Sequence, residues 1–116
     1  MVSAKDPRVR LQHMLDTIDG ILDATSSITA ESLSNNFLVL RAIERSVQII
    51  SEAAKELPTE LRAREPDVPW RDIIGMGNLL RHEYYRIRES DMWDILHNHL
   101  PRLKDAVQRL LSDSNA

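Results

Sequence analysis

The chain has 116 residues, no cysteine, 42% hydrophobic residues, 28% charged residues and a net charge of −3. These values favour one soluble globular domain in a reducing cytoplasm, and they exclude disulfides and thiolate metal sites. The negative charge argues against a protein that holds nucleic acid by overall electrostatic attraction, and the absence of a long apolar run argues against secretion or a membrane span.

Apolar residues recur at helical spacing along nearly the whole chain. The first helix is expected to begin with Asp6 as N-cap and Pro7 at the first helical position, a favoured combination. A second helix is predicted over residues 31–57, and if it is continuous it spans about 40 Å. The segment "LPTELRAREPDVPW" at 57–70 has prolines near both ends and fits one short helix with an irregular exit.

Two further helices are predicted in the C-terminal half. One runs from about Trp70 to Tyr84, and Asp91 is expected to cap another that begins with "MWDILHNHL". Its apolar stripe passes through Pro101, which removes a helical hydrogen bond and clashes with the preceding turn. A kink or short break is therefore expected near His97–Leu100.

These elements predict an all-α fold, an antiparallel bundle of four main helices with one additional short helix. We expect a single domain over residues 1–116, with its core at about 8–112 and a flexible tail at 112–116.

No metal or cofactor site is predicted. His97 and His99 are two residues apart, so on a helix they point about 200° away from each other, whereas a shared metal needs residues four apart. The "GMG" sequence at 75–77 lacks the preceding strand and the third glycine of a dinucleotide loop. Its glycines are expected to permit close helix packing or a local bend. His13 is expected to be a surface or boundary residue.

The segment "NLLRHEYYRI" at 78–87 is unusually polar and aromatic for this chain. Four of the five aromatic residues lie between positions 70 and 93, and Arg81, Arg86 and Arg88 stand against Glu83 alone. Two interpretations remain open for this segment. It is either a solvated helix end with tyrosines packed at its boundary, or a site that acts on a substrate.

If the helix continues through this segment, one face presents four side chains: Asn78, Arg81, His82 and Tyr85. An imidazole can transfer protons, and a guanidinium can stabilise a phosphoryl group that gains negative charge. Such a set suits metal-free RNA cleavage, in which the ribose 2′-hydroxyl attacks the neighbouring phosphodiester. One histidine cannot easily perform both proton transfers, so a symmetric homodimer that brings two copies together is expected.

Three stretches carry a resemblance to a known family: "RAIERSVQIISEAAKELP" at 41–58, "VPWRDIIGMGNLLRHEYYRI" at 68–87 and "MWDILHNHLPRLKDAV" at 92–107. In this order they resemble the HepT-like members of the HEPN superfamily, over roughly residues 8–112. The resemblance implies a four-helix HEPN bundle that dimerises around a cleft. It also implies a metal-independent endoribonuclease, the toxin of a type VII toxin–antitoxin pair. The implied partner is an MntA-like nucleotidyltransferase antitoxin, which silences the toxin by transferring AMP to a motif tyrosine.

The resemblance makes His82 the motif histidine and an expected catalytic residue, and Tyr84 the expected target of AMP transfer. Arg81, on the same helical face as Asn78, is the other expected catalytic residue. Substrate binding is expected from Asn78, Tyr85 and Arg88, and the sequence leaves open whether Tyr84 or Tyr85 faces the cleft. On a regular helix His82 and Tyr84 diverge, so both can face one cleft only if the helix unwinds near Glu83.

The sequence departs from the family pattern at one position. In the family pattern, four to six residues separate an arginine from the His-x-Tyr, but Gly75, Met76 and Gly77 occupy the arginine positions here, and Arg81 directly precedes the histidine instead. Either Arg81 reaches the same phosphate, or the chain is a non-catalytic dimeric binding module for a nucleotidyltransferase or a nucleotide. Gly77 is expected to leave space for a ligand or for Arg81.

Overall fold

The computed structural model describes residues 6–114, and no strand occurs in that range. The α-helices are α1 (Pro7–Ala24), α2 (Ala30–Leu33), α3 (Phe37–Lys55), α4 (Thr59–Arg62), α5 (Trp70–His82), α6 (Glu89–Asp94) and α7 (Leu100–Ser114). A 3₁₀ turn at Tyr84–Arg86 follows α5, and a π-helical turn at Ile95–His99 joins α6 to α7. Within the described range, no helix is long and apolar enough to cross a membrane. The predicted all-α class is confirmed.

Helix α1 begins as the sequence predicts. The Asp6 carboxylate accepts a hydrogen bond from the backbone N–H of Arg8 at 2.8 Å, and Pro7 opens the helix. The apolar stripe of α1 is buried in the bundle at Leu11, Met14, Ile18 and Ile21. The local cap signal and the helical spacing together therefore place this helix correctly.

The prediction of one continuous second helix is wrong, because a short helix, α2, ends at Leu33 and a separate helix, α3, begins at Phe37. In the short α2, the Ser32 N–H donates to the Thr29 hydroxyl at 3.1 Å, and the Thr29 N–H donates to the Ser32 hydroxyl at 2.9 Å. The Asn36 side chain then caps α3 by accepting from the Val39 N–H at 3.1 Å. Serine and asparagine side chains compete with helical hydrogen bonds for backbone groups. The polar residues Ser34, Asn35 and Asn36 therefore end α2 and begin α3.

Two boundaries in the second half also differ from the predictions. Helix α5 ends at His82 instead of Tyr84. Helix α6 begins at Glu89, so Asp91 is not the N-cap but occupies the third helical position. There its carboxylate accepts a hydrogen bond from the Arg88 backbone N–H at 3.0 Å, because an acidic residue at this position can reach back to the open first turn.

The break predicted near Pro101 is confirmed as the π-helical turn at Ile95–His99. Proline has no N–H to donate, and its ring clashes with the carbonyl four residues earlier; the wider turn relieves this clash. The core stripe runs through the turn, with Met92 buried before it, Leu96 within it, and four buried residues after it: Leu100, Leu103, Val107 and Leu110. Helix α7 includes residues 112–114 of the expected tail, whereas 115–116 lie outside the described residues.

The four long elements form the predicted antiparallel bundle. Helix α3 packs against both α1 and α5, and α7 packs against α1. Lys104, near the beginning of α7, pairs with Asp19, near the end of α1, at 2.8 Å, so these two helices run in opposite directions. The Trp70 indole N–H donates to the carbonyls of Arg62 and Glu65, at 3.0 and 3.1 Å. These bonds tie the connection after α4 to the start of α5.

Candidate active site

The end of α5 brings together three of the residues expected in the site. Asn78, Arg81 and His82 are exposed and lie on one helical face, since they are three and four residues apart. Tyr85 does not belong to this face, because the α-helix ends before it. The expected four-residue face is therefore wrong for Tyr85 and holds for the other three.

The backbone unwinds at Glu83, the residue between the motif histidine and the motif tyrosine. Glu83 has φ −142° and ψ 44°, although its N–H still donates to the Leu79 carbonyl at 2.7 Å. A 3₁₀ turn follows, in which the Arg86 N–H donates to the Glu83 carbonyl at 2.9 Å. This is the unwinding that His82 and Tyr84 need if they are to approach one substrate.

Both tyrosines of the turn are at the surface. Tyr84 is 61% exposed and Tyr85 is 73% exposed, and their rings meet edge to face with centroids 6.1 Å apart. Neither hydroxyl makes a hydrogen bond within the described part of the chain. The interpretation of these tyrosines as packed boundary residues is therefore wrong, and both hydroxyls are open to a reagent.

The fold supplies more negative charge beside the arginines than the local sequence shows. Arg86 pairs with Glu83 at 3.2 Å, as their spacing allows, but Arg81 faces Glu52 of α3 at 3.9 Å. Arg88 faces Asp91 at 3.5 Å. Exposed pairs of this kind contribute about 0–1 kcal/mol, so each guanidinium can exchange its partner for a phosphate. Glu52 has no local sequence signal, because it is brought to Arg81 only by the packing of α3 on α5.

Gly77 does not leave space for a ligand or for Arg81, and that expectation is wrong. It is buried where α5 crosses α3, and a Cβ added at this position would overlap the Ser51 hydroxyl. That hydroxyl donates to the Ile74 carbonyl at 3.0 Å, which fixes it in place. An added Cβ at Gly75 would meet no atom within 4 Å. Packing therefore excludes an arginine at 77 but does not exclude one at 75.

The remaining histidines are separate from this segment. His97 stacks on Trp93 with ring centroids 3.8 Å apart, and His99 Nε2 lies 2.9 Å from Asp94 Oδ2. Hydrogen bonds from Asn98 and His99 lower the pKa of Asp94 below its ordinary value. Among the described residues, no group of three or more His, Cys, Asp or Glu side chains is arranged to hold a metal ion.

Comparison with known proteins gives consistent matches. The chain matches the HepT-like family, described as ribonuclease HepT-like, over residues 14–110. Similar proteins include "Putative RNase TTE0752" of Caldanaerobacter subterraneus subsp. tengcongensis, 34% identical over 107 residues, with 92% of this chain and 96% of the relative covered. "Putative RNase MJ1380" of Methanocaldococcus jannaschii is 28% identical, with 92% and 98% covered. "Probable ribonuclease HepT" of Thermococcus cleftensis is 27% identical, with 86% and 91% covered. No solved structure matches the chain.

The family match takes in all of α3 and α5, the greater part of α1 and α7, and the whole segment 78–88. The relatives named above are covered over nearly their full length, so the similarity is to entire proteins and not to a shared fragment. The all-α bundle agrees with the architecture that the sequence resemblance implies. The chain belongs to the HepT-like family of the HEPN superfamily.

Proposed function

We propose that this chain is a metal-independent endoribonuclease in which His82 transfers protons. The observation that carries the proposal is the exposed group of Asn78, Arg81 and His82 on one face at the end of α5, where a flexible RNA strand can reach all three. Relatives whose names describe ribonucleases support this chemistry.

In the proposed reaction, the ribose 2′-oxygen attacks the adjacent phosphorus and the bond to the 5′-oxygen breaks. The products are a 2′,3′-cyclic phosphate and a 5′-hydroxyl. A base removes the proton from the 2′-hydroxyl, and an acid protonates the leaving 5′-oxygen, so the reaction has no net proton change. Arg81 stabilises the negative charge that develops on the phosphate, and Asn78 positions the substrate by hydrogen bonding.

The turn after α5 contributes substrate binding in this proposal. Tyr85 offers an exposed ring on which a base can stack, and Arg88 offers a guanidinium to a flanking phosphate. Both side chains are exposed and follow His82 within six residues of the chain, so we propose that they bind nucleotides that flank the scissile bond.

We also propose that the active form is a homodimer in the cytoplasm. The segment 78–88 contains one histidine, His82, whereas the reaction needs two proton-transfer groups, a base and an acid. A two-fold dimer that places two copies of the segment around one cleft supplies both groups. It also concentrates the local arginines, which offsets the negative net charge of the chain.

The biological role that we propose is that of a type VII toxin, silenced by an MntA-like nucleotidyltransferase. The Tyr84 hydroxyl oxygen would attack the α-phosphorus of ATP, forming a phosphodiester, releasing pyrophosphate and losing the hydroxyl proton. The exposed position of Tyr84 on the turn supports such a transfer. The attached AMP would place a bulky anion next to His82 and Arg81, where it would compete with the RNA phosphate.

A second candidate is a non-catalytic dimeric module that binds a nucleotidyltransferase or a nucleotide. Two observations favour it: positions 75–77 hold no arginine, and Arg81 faces Glu52 at 3.9 Å. In such a module the segment 78–88 would be a contact surface, and the loss of Arg81 would change binding without removing an activity.

An RNA cleavage assay in EDTA tests the proposal. His82→Ala is expected to lower the cleavage rate by about 10²–10⁴-fold, because proton transfer is lost. Arg81→Ala is expected to lower it by about 10²–10³-fold, because a charge-stabilising group is lost. His13→Ala and Arg45→Ala, which remove exposed side chains of the same types from α1 and α3, serve as matched controls and should leave the rate unchanged.

The two functions then separate clearly. If His82→Ala cleaves as fast as the unmodified chain, the assignment of proton transfer to His82 is wrong. If the folded, unmodified protein cleaves no RNA, the binding module becomes the better account.

A further inference from the structure

A groove of about 650 Å³ has two walls: one is α5, and the other consists of the consecutive elements α6, the π-helical turn and α7. Helix α3 forms its floor. Apolar side chains from both walls and from the floor line it, among them Val47, Ile50, Ile73, Met76, Ile95 and Leu103. Residues 78–88, which carry the proposed chemistry, do not line this groove. It is therefore a second surface with its own properties.

The rim of the groove is acidic. Six carboxylates line it: Glu65, Asp67, Asp72, Asp91, Asp94 and Asp105. Three of these contact basic side chains at 2.7–3.5 Å: Asp91 contacts Arg88, Asp94 contacts His99 and Glu65 contacts Arg109. The other three, Asp67, Asp72 and Asp105, make no ion pair within the described part of the chain. Arg102 also lines the groove, and within the described residues it makes no ion pair. The rim therefore keeps an excess of negative charge.

The groove has a defined length. On the α7 side, the part of the wall from its first apolar residue, Ile95, to Arg109 extends about 20 Å, which equals about four turns of an α-helix; Asp91 and Asp94 line the groove beyond Ile95. One end is closed by Arg109 and Glu65, whose Nη2 and Oε1 atoms are 2.7 Å apart. The hydrogen bond to Glu65 raises the pKa of Arg109 above its ordinary value, which favours the charged guanidinium at this end of the groove.

We infer that this groove binds a cationic amphipathic helix of a partner protein, about four turns long. The apolar floor would bury the apolar face of such a helix. The carboxylates of Asp67, Asp72 and Asp105 would pair with lysine or arginine on the two sides of that face. The same carboxylates repel phosphate, so the groove does not suit RNA. The inference goes beyond the proposed cleavage reaction and does not depend on it.

A synthetic peptide provides the test. The probe is a fluorescein-labelled helix of four turns, with leucine along one face, lysine on both flanks and alanine elsewhere. Its binding to the full chain is measured by fluorescence anisotropy. We expect saturable binding, weakened roughly tenfold by the combined change Asp67→Asn, Asp72→Asn and Asp105→Asn, since three charge contacts are lost. These substitutions keep the shape of each side chain.

A matched triple variant controls for total charge. Asp16→Asn, Asp23→Asn and Glu56→Gln remove the same number of charges from exposed positions outside the groove, and should leave the affinity unchanged. A peptide with serine in place of leucine should not bind, because it keeps the charge but loses the apolar face. Equal weakening by both triple variants, equal binding of the serine peptide, or no binding at all would each overturn the inference.

The remaining alternative is that a second copy of this chain fills the groove. Sedimentation velocity with and without the leucine peptide distinguishes this case. If the peptide converts a dimer to a monomer, or if the three groove substitutions do so, the groove is a contact between copies and the inference of a separate partner helix is wrong. If the oligomeric state of the protein is the same with and without the peptide, and the same in the triple variant, the inference is supported.

Discussion

Two glycines in α5 have opposite surroundings although they are only two positions apart. Gly77 lies against the Ser51 side chain and sets how closely α5 approaches α3. Gly75 faces solvent, with room for a side chain. A helix interior normally disfavours glycine, so position 77 has a packing reason for this residue and position 75 has none within the described chain.

We expect alanine to have effects of opposite sign at these two positions. Gly77→Ala should lower the free energy of unfolding by about 1–3 kcal/mol, because the new methyl group overpacks the contact with Ser51. Gly75→Ala should raise it by about 0.5–1 kcal/mol, because it restricts the unfolded chain at an exposed helical position. Urea unfolding followed by circular dichroism measures both values. Similar changes in both variants would contradict the packing role of Gly77.

At the scale of the element, the turn after α5 separates the histidine from the tyrosines. Helix α5 ends at His82, and the 3₁₀ turn that follows presents Tyr84 and Tyr85 to solvent with their ring planes at 80° to each other. A continued α-helix would place His82 and Tyr84 on divergent faces. The change of backbone conformation at Glu83 therefore decides which side chains a bound substrate or a modifying enzyme can meet.

Modification of this turn should be selective for one tyrosine. After co-expression with an MntA-like nucleotidyltransferase, we expect mass spectrometry to find one AMP group per chain, attached at Tyr84, and RNA cleavage to be lost. Tyr84→Phe should remove the modification because the acceptor hydroxyl is absent. Tyr85→Phe is the matched control and should still be modified. AMP on Tyr85, or on neither tyrosine, would refute the assignment of the acceptor.

Local signals in the sequence predicted the elements better than their boundaries. The Asp6 cap and the break before Pro101 follow from backbone chemistry that acts within one turn, and both were predicted. The break after Leu33 was missed because Leu33 and Phe37 are four residues apart, so the apolar spacing continues across it at helical period. The same applies to the candidate site. His82 and Tyr84 could be predicted from their local sequence motif. Glu52 could not, because only the packing of α3 against α5 brings it to Arg81.

At the scale of the whole molecule, the proposed chemistry requires two chains. The described bundle places the segment 78–88 at the surface, with one histidine for a reaction that needs an acid and a base. On this proposal the site of a single chain is incomplete, and a two-fold pair would complete it.

Mixing experiments test this requirement directly. We expect light scattering to show a dimer at micromolar concentration. After subunit exchange, an equal mixture of unmodified chain and His82→Ala should retain about a quarter of the cleavage activity, because hybrid dimers lack one proton-transfer group. A mixture with His13→Ala should keep full activity. A monomer in solution, or half of the activity in the His82→Ala mixture, would contradict a shared site.

The proposed site has one further consequence, which follows from its position along the chain. All of its residues fall within one stretch, 78–88, and none of them belongs to the buried core. Folding and chemistry therefore depend on different residues. A lineage of such proteins can gain, alter or lose cleavage through a few substitutions in this stretch, while the bundle and the acidic groove are inherited unchanged. The same bundle can thus serve as a nuclease in one descendant and as a purely binding protein in another.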